Sequence, residues 1–301
     1  MVVDTELLVQ AELGSQPDCW RRAVEVAARS EGLLPRTGER VAVVGCGTSW
    51  FMAQAYARLR ESMGQGETDA FAASEVPRGR RYDRLVAITR SGTTTEVLTL
   101  LERVRGRQPT LAVTADPRSA VVDAVDQVIV LDFADERSVV QTRFATSTLA
   151  LLRAAIGQDL EPVIAQAAQA VVAEVPAGVL ERTQFTFLGS GWTVGLANEA
   201  ALKLREACSA WAEAYPAMEY RHGPISIADA RSAVWFLDRP PPSLPEEVAA
   251  TKALVLTPTG DPMAELVKVQ RLAVALALAR GLDPDRPRNL SRSVILPSRP
   301  G

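Results

Sequence analysis

The sequence predicts an α/β protein of two tandem domains, each a mainly parallel β-sheet flanked by helices in three layers. Three observations carry this prediction. Short apolar, β-branched runs alternate with longer helical stretches. The first such unit recurs about halfway along the chain. Finally, 301 residues are enough, at roughly 100–200 residues per domain, for about two sizeable cores.

The elements follow in order. Glu12 to Leu34 reads as an amphipathic helical lead-in, with Trp20, Val24 and Ala27 on one face at helical spacing. VAVVG at 41–45 is a strand ending in glycine, followed by an Ala-rich helix from about Trp50 to Met63. RLVAITRSG and the helical stretch Glu96 to Arg105 form a second unit, TLAVTADP begins a third, and QVIVL adds a short strand. Helices are expected at Phe144 to Ile156 and Leu160 to Ala173. FTFLGSGW then restarts the pattern: Gly45 falls on Gly189 and Gly47 on Gly191, each shifted by 144 residues. AVWFL and ALVLTP read as later strands, and Ala264 to Ala279 as the closing helix. The expected division is a lead-in at 1–37, a first domain at 38–158, a helical connector at 159–182, a second domain at 183–297 and a tail at 298–301.

Composition excludes several classes. Lys and Arg total 33 against 36 Asp and Glu, a formal charge of −3, which offers no overall attraction to a polyanion. No nucleic-acid partner is expected. Hydrophobic residues at 47% and charged residues at 23% are ordinary globular content. No apolar run reaches the about 18 residues of a membrane span, and the start, MVVDTELLVQ, lacks the basic patch of a signal peptide. Cys19, Cys46 and Cys208 are odd in number and widely spaced, so no disulfide framework is read. A cytoplasmic protein with no membrane partner is expected.

Two loops carry candidate chemistry. Thr89 to Thr95 lies between a strand and a helix, where hydroxyls, loop amides and the helix N-terminus can converge on a phosphate. Ordinary capping is the alternative, since Ser and Thr also favour turns and N-caps. GCGTS at 45–49 is a second such loop, but it is neither a Walker A nor a GxGxxG sequence. The proline-rich DRPPPSLPEE, its counterpart of the Thr89 loop in the second half, offers few amides to an anion.

Lys203 and Glu206 share a helical face, where the carboxylate can move a proton and the ammonium can stabilise developing negative charge. A surface i,i+3 ion pair is the alternative. His222, the only histidine, sits in an expected loop, and an imidazole is a side chain suited to proton transfer near neutral pH. With no second histidine, neither a zinc site nor a nucleophile–His–acid triad is read. Cys46 and Cys208 read as packing residues, and Trp192, Trp211 and Trp235 as packing or pocket-lining residues.

Five segments, GCGTS at 45–49, TRSGTTTE at 89–96, EAALKLRE at 199–206, EAYPAMEYRHGP at 213–224 and DPDRPRNLSRSV at 283–294, resemble the sugar isomerase (SIS) family. The likeness is to the isomerase part of glucosamine-6-phosphate synthase and to amino-sugar-phosphate deaminases, over about residues 38–297. It implies two tandem SIS domains. It also implies that Ser49, Thr89, Arg90, Ser91 and Thr94 hold a sugar phosphate, that Glu206 moves a proton between C1 and C2, that Lys203 stands beside it, and that His222 opens the sugar ring across a dimer interface. Glu219 matches a neighbouring family acid with a structural or polar-network part.

Two departures qualify the resemblance. Arg292 stands where synthase-type relatives carry a lysine, and a guanidinium does not readily form a Schiff base; Arg292 is left to hold the open-chain sugar or its phosphate. Arg90 stands at a glutamine-like position. The sequence also lacks the glutaminase domain expected ahead of the first sugar-binding half in the full synthase, so glutamine is not expected as nitrogen donor. The resemblance therefore implies a homodimeric, cofactor-independent isomerase and deaminase acting on a phosphorylated hexose or hexosamine, such as glucosamine 6-phosphate. A simple aldose-ketose isomerase and a non-catalytic sugar-phosphate-binding regulator are the alternatives.

Overall fold

The computed structural model describes residues 7–297; the expected tail at 298–301 and the first six residues of the lead-in lie outside the described residues. The lead-in is two helices rather than one: α1 (Leu8–Gly14) and α2 (Gln16–Arg29). The break falls at Gly14-Ser15, and Pro17 follows at the start of α2, where its missing N–H costs nothing. Trp20 and Ala27 are buried as their spacing requires, while Val24 is half-buried.

Two compact units divide the described chain. One comprises 22–135, 144–158 and 291–297; the other comprises 7–21, 136–143 and 159–290. The first contains β1 (Val41–Gly45), α3 (Thr48–Ser62), β2 (Thr68–Ala72), β3 (Arg84–Ile88), α4 (Thr95–Val104), β4 (Thr110–Thr114), β5 (Gln127–Val130) and, after its first residue, α5 (Arg143–Ala155). The second contains α1, α6 (Glu161–Ala170), β6 (Gln184–Gly189), α7 (Thr193–Cys208), β7 (Trp211–Pro216), β8 (Ser232–Phe236), α8 (Leu244–Ala250), β9 (Leu254–Leu256) and α9 (Pro262–Ala279).

Each unit holds an all-parallel sheet, ordered β2-β1-β3-β4-β5 in one and β7-β6-β8-β9 in the other. Both therefore place the second strand at one edge and run first, third, fourth from there. β1, β3 and β4 are buried along their whole length, as strands covered on both faces must be. On one face Ala42, Val44, Leu85, Ala87 and Ala112 pack with Val97, Leu100 and Leu101 of α4. In the second sheet Leu188, Val234 and Phe236 pack with Leu244 and Val248 of α8. The result is two parallel sheets flanked by helices, a three-layer α/β arrangement.

The two strand-end glycines behave alike. A Cβ on Gly45 would meet the Ser49 backbone carbon at 2.6 Å, and one on Gly189 would meet the Thr193 carbonyl oxygen at 2.4 Å. Each helix packs so close to its strand that only glycine fits. The second glycines match as well: Gly47 and Gly191 both lie in the left-handed region, with φ of 54° and 56°.

β2 and β7 have no counterpart in the strands read from sequence. Both are edge strands, TDAFA and WAEAYP, rich in Ala and acidic residues with low β propensity. Trp211 opens β7 and is 71% exposed, so it does not pack or line a pocket; its indole N–H donates to Glu213. His222 ends a 3-10 helix (Ala217–His222) rather than lying in a loop.

Candidate active site

Two clusters, one in each unit, hold most of the residues singled out from sequence; His222 and Glu219 lie exposed on a separate 3-10 helix. The first lies at the carboxyl ends of β1 and β3, the position at which parallel α/β sheets present ligand sites. Ser49 and Thr89 are 3% exposed and Arg90 is 2% exposed. The Thr89 hydroxyl is buried and has no hydrogen-bond partner among the described residues. Thr94 is the N-cap of α4, yet its side chain makes no capping hydrogen bond, so helix capping does not account for its hydroxyl. Gly92 turns the loop at φ 62°.

The C-terminal segment lies across this loop within the same unit. An Arg90 guanidinium N–H donates to the Arg292 carbonyl at 2.9 Å, and the Ser91 hydroxyl donates to Ser293 at 3.1 Å. Thr93 Oγ1 and Ser293 Oγ are 2.9 Å apart. The Thr95 amide donates to the Val294 carbonyl, and the Leu296 amide to Thr95 Oγ1. Arg292 is thus brought to the loop through its backbone, while its guanidinium pairs with Asp135 at 2.5 Å.

The second half is built differently at the equivalent place. Aligning Gly45 with Gly189 puts Asp238 in the register of Thr89, because Ala87 pairs with Val44 and Phe236 with Leu188. Asp238 accepts from the Thr193 hydroxyl at 2.8 Å, and burial pushes its carboxyl above the usual range. An acidic side chain thus stands in the second half where the first half has the Thr89 hydroxyl.

The second cluster is on α7. Glu199, Lys203 and Glu206 recur at intervals of four and three and share one face. Lys203 and Glu199 are 1% exposed, which rules out a surface ion pair; the Glu206 side chain keeps 20% exposure. Lys203 Nζ donates to Glu206 and lies 3.4 Å from Glu199 Oε1. Burial alone would lower the ammonium's pKa, but the charges of Glu199 and Glu206, the hydrogen bond donated to Glu206 and the charge of Glu136 outweigh it and raise the value. Lys203 is a proton-holding cation beside a carboxylate open to solvent. Glu136 itself is fully buried and accepts from the Thr142 amide and hydroxyl and the Arg143 amide.

Glu199 and Glu136 were not singled out from sequence. Glu199 had a signal, its position one turn before Lys203; Glu136, 67 positions away in the chain, had none. His222 is exposed beside Arg221, whose guanidinium spans both oxygens of Glu247 at 2.8 Å and anchors this segment to α8. Glu219 is exposed on the same 3-10 helix. Cys46 and Cys208 are thiols pushed up to about 11, chiefly by burial, and are poor nucleophiles at neutral pH. Among the described residues no group of three or more His, Cys, Asp or Glu is placed to hold a metal ion, and no helix is long and apolar enough to cross a membrane.

A parallel α/β domain with a hydroxyl- and arginine-lined loop at its strand ends has the makings of a phosphate-ester site. The SIS domain family model matches residues 36–157. It is 29% identical to the glutamine–fructose-6-phosphate aminotransferase (isomerizing) of Methanothermobacter thermautotrophicus, over 95% of this chain and 57% of that protein. The chain spans about half the length of the curated relatives it matches. Its fold is similar to that of glucosamine-6-phosphate deaminase from Thermotoga maritima, with a TM-score of 0.80 and 23% identity over 96% of this chain and 100% of the other. It is also similar to that of tagatose-6-phosphate ketose/aldose isomerase from Escherichia coli, with a TM-score of 0.81 and 20% identity over 100% and 99% of the two chains.

Proposed function

We propose that the protein is a cytoplasmic, homodimeric amino-sugar-phosphate isomerase and deaminase acting on a phosphorylated hexosamine such as glucosamine 6-phosphate. The observation that carries this reading is the buried Glu199–Lys203–Glu206 face of α7, with Glu206 alone reaching solvent. Residues 38–158 and 183–297 are read as two SIS domains, joined by the connector at 159–182. The shared strand order and the matched glycines support the second.

In this reading Ser49, Thr89, Arg90, Ser91 and Thr94 hold the phosphate, and the Arg292 segment closes on the open-chain sugar. His222 moves the ring-oxygen proton as the ring opens. Glu206 takes the proton from C2, the electrons pass to the C1 oxygen, which is protonated, and an enolamine forms. Glu206 returns the proton to C1 and the nitrogen loses one, leaving an imine at C2. Water adds to that imine and releases ammonia and the ketose phosphate. Lys203 stabilises the negative charge that develops during proton transfer. These steps use the chain's own residues and need no cofactor.

The test is an assay of the purified chain with glucosamine 6-phosphate, measuring ammonia and fructose 6-phosphate together. Equal yields of both, lost in Glu206→Gln, are expected. Activity undiminished in that variant would overturn the assignment of Glu206. Fructose 6-phosphate interconverted with an aldose phosphate, with no ammonia from any amino sugar, would instead make the protein a simple isomerase. A regulatory reading, binding without turnover, is favoured by one feature: the guanidinium at 292 pairs with Asp135 and offers no free amine. Mixing inactive Glu206→Ala and His222→Ala proteins tests the dimer. Recovery of activity supports a site completed by His222 of a second copy, and no recovery despite subunit exchange contradicts it.

A further inference from the structure

A second concentration of positive charge lies away from the hydroxyl loop, in the same unit. A cavity of about 850 Å³ is lined by Arg40, Arg78, Arg80, Arg81, Arg103 and Arg107, with Asp83 as the one carboxylate among the described lining residues. Arg40, Asp83 and Gln108 immediately precede or lie just before β1, β3 and β4, so the cavity opens at the amino ends of the strands. The phosphate loop is at their carboxyl ends, about 16 Å away for a five-residue strand at 3.3 Å per residue.

Half of these arginines are held by neighbouring side chains or carbonyls. Arg40 lies over the Tyr82 ring at 5.2 Å and pairs with Glu67; its backbone amide donates to Asp83, and its Nε is buried without a hydrogen-bond partner. Arg80 lies over Phe71 at 5.6 Å and pairs with Asp69, which also accepts from the Tyr82 hydroxyl. Arg103 donates to the Val76 carbonyl at 3.1 Å. Arg78, Arg81 and Arg107 form the rim: they are exposed and make no ion pair among the described residues. The carbonyls at the end of α4 favour Arg103, but they do not explain Arg78 and Arg81, which come from the loop before β3. Arginines gathered around one concavity repel one another, and a cleft lined by one sign of charge concentrates counter-ions.

We propose that this cavity binds a small polyanion carrying two or more adjacent phosphates. The volume suits a small molecule rather than a nucleic-acid groove, and guanidinium forks suit phosphate oxygens two at a time. The site is independent of the proposed sugar chemistry, because it shares no residue with the hydroxyl loop or with α7.

The experiment is calorimetric titration of the full chain with sodium tripolyphosphate, orthophosphate, ATP and AMP. Tripolyphosphate and ATP are expected to bind at least tenfold more tightly than orthophosphate and AMP, with affinity falling between 50 and 300 mM salt, roughly as screening shortens the Debye length. The triple variant Arg78→Glu, Arg81→Glu, Arg107→Glu should lose at least tenfold in affinity, and the corresponding triple Gln variant should lose an intermediate amount; circular dichroism checks that both are folded. A Ser91→Ala, Thr94→Ala variant should retain tripolyphosphate binding. Loss of binding in that loop variant but not in the arginine variants would overturn the proposal, as would absence of binding. Binding of a 20-nucleotide single strand tenfold tighter than tripolyphosphate would replace the small-molecule class with nucleic acid and overturn it equally.

Discussion

Lys203 Nζ lies 3.4 Å from Glu199 Oε1, one turn earlier on α7, and both side chains are 1% exposed. A pair so buried is costly to break from one side, because the remaining charge cannot reach water. Lys203→Met is therefore expected to destabilise the fold by about 3–5 kcal/mol, measured by urea unfolding. The double variant Lys203→Met, Glu199→Gln should recover most of the loss. A single variant within about 0.5 kcal/mol of the wild type would show that the pair is not held as described.

The same lysine fixes a pH dependence. Its folded-state value is raised above 10.5, so its stabilising contribution is complete below that pH and disappears as pH rises through the raised value. Urea midpoints between pH 7 and 9 should not move on its account. A loss of stability above 10.5 that is absent from the double variant would identify this group.

Gly92 is the loop position least tolerant of change. Its φ is +62°, and a Cβ there would sit 2.0 Å from Ser119 Oγ and 2.5 Å from Ser119 Cβ. Gly92→Ala should cost about 1–3 kcal/mol from backbone strain alone, with the clash adding to it. It should also abolish the thermal shift produced by a sugar phosphate. Gly14→Ala, at a position with open space around it, serves as the control and should do neither.

Cys46 lies in a glycine-rich turn, yet burial, assisted by Glu96, raises its thiol from 9.0 to about 11 despite a hydrogen bond from Ala73. At pH 8 that leaves about 100-fold less thiolate than an unperturbed thiol. Peptide mass spectrometry after iodoacetamide treatment of the native protein should find Cys46 modified far more slowly than after unfolding. Equal rates would mean an activated thiol and would reopen its chemistry.

The strand–glycine–helix units were legible because parallel strands covered on both faces must be continuously apolar, as VAVVG and FTFLG are. β2 and β7 were not legible, because an edge strand is held by one neighbour's ladder and can be written in residues such as Asp69, Ala70 and Ala214. In the candidate site, the Thr89 loop and the α7 face showed locally, the first by its hydroxyls and the second by its spacing. The seat of Ser293 on Ser91 and Thr93 did not: it joins segments 202 and 200 positions apart, and no local pattern marks such contacts. Burial of Lys203 was likewise invisible, since the same spacing describes a solvated ion pair.

The most direct measurement is proton NMR of glucosamine 6-phosphate with the protein in D2O, following the sugar C2–H signal and ammonia in one sample. Protein-dependent loss of the C2–H signal with release of ammonia, both absent in Glu206→Gln, is the expected result. Unchanged C2–H signals of glucosamine 6-phosphate and other aldose phosphates, and unchanged C1–H signals of fructose 6-phosphate, despite saturable binding, would contradict proton transfer at this site and leave a sugar-phosphate-binding protein.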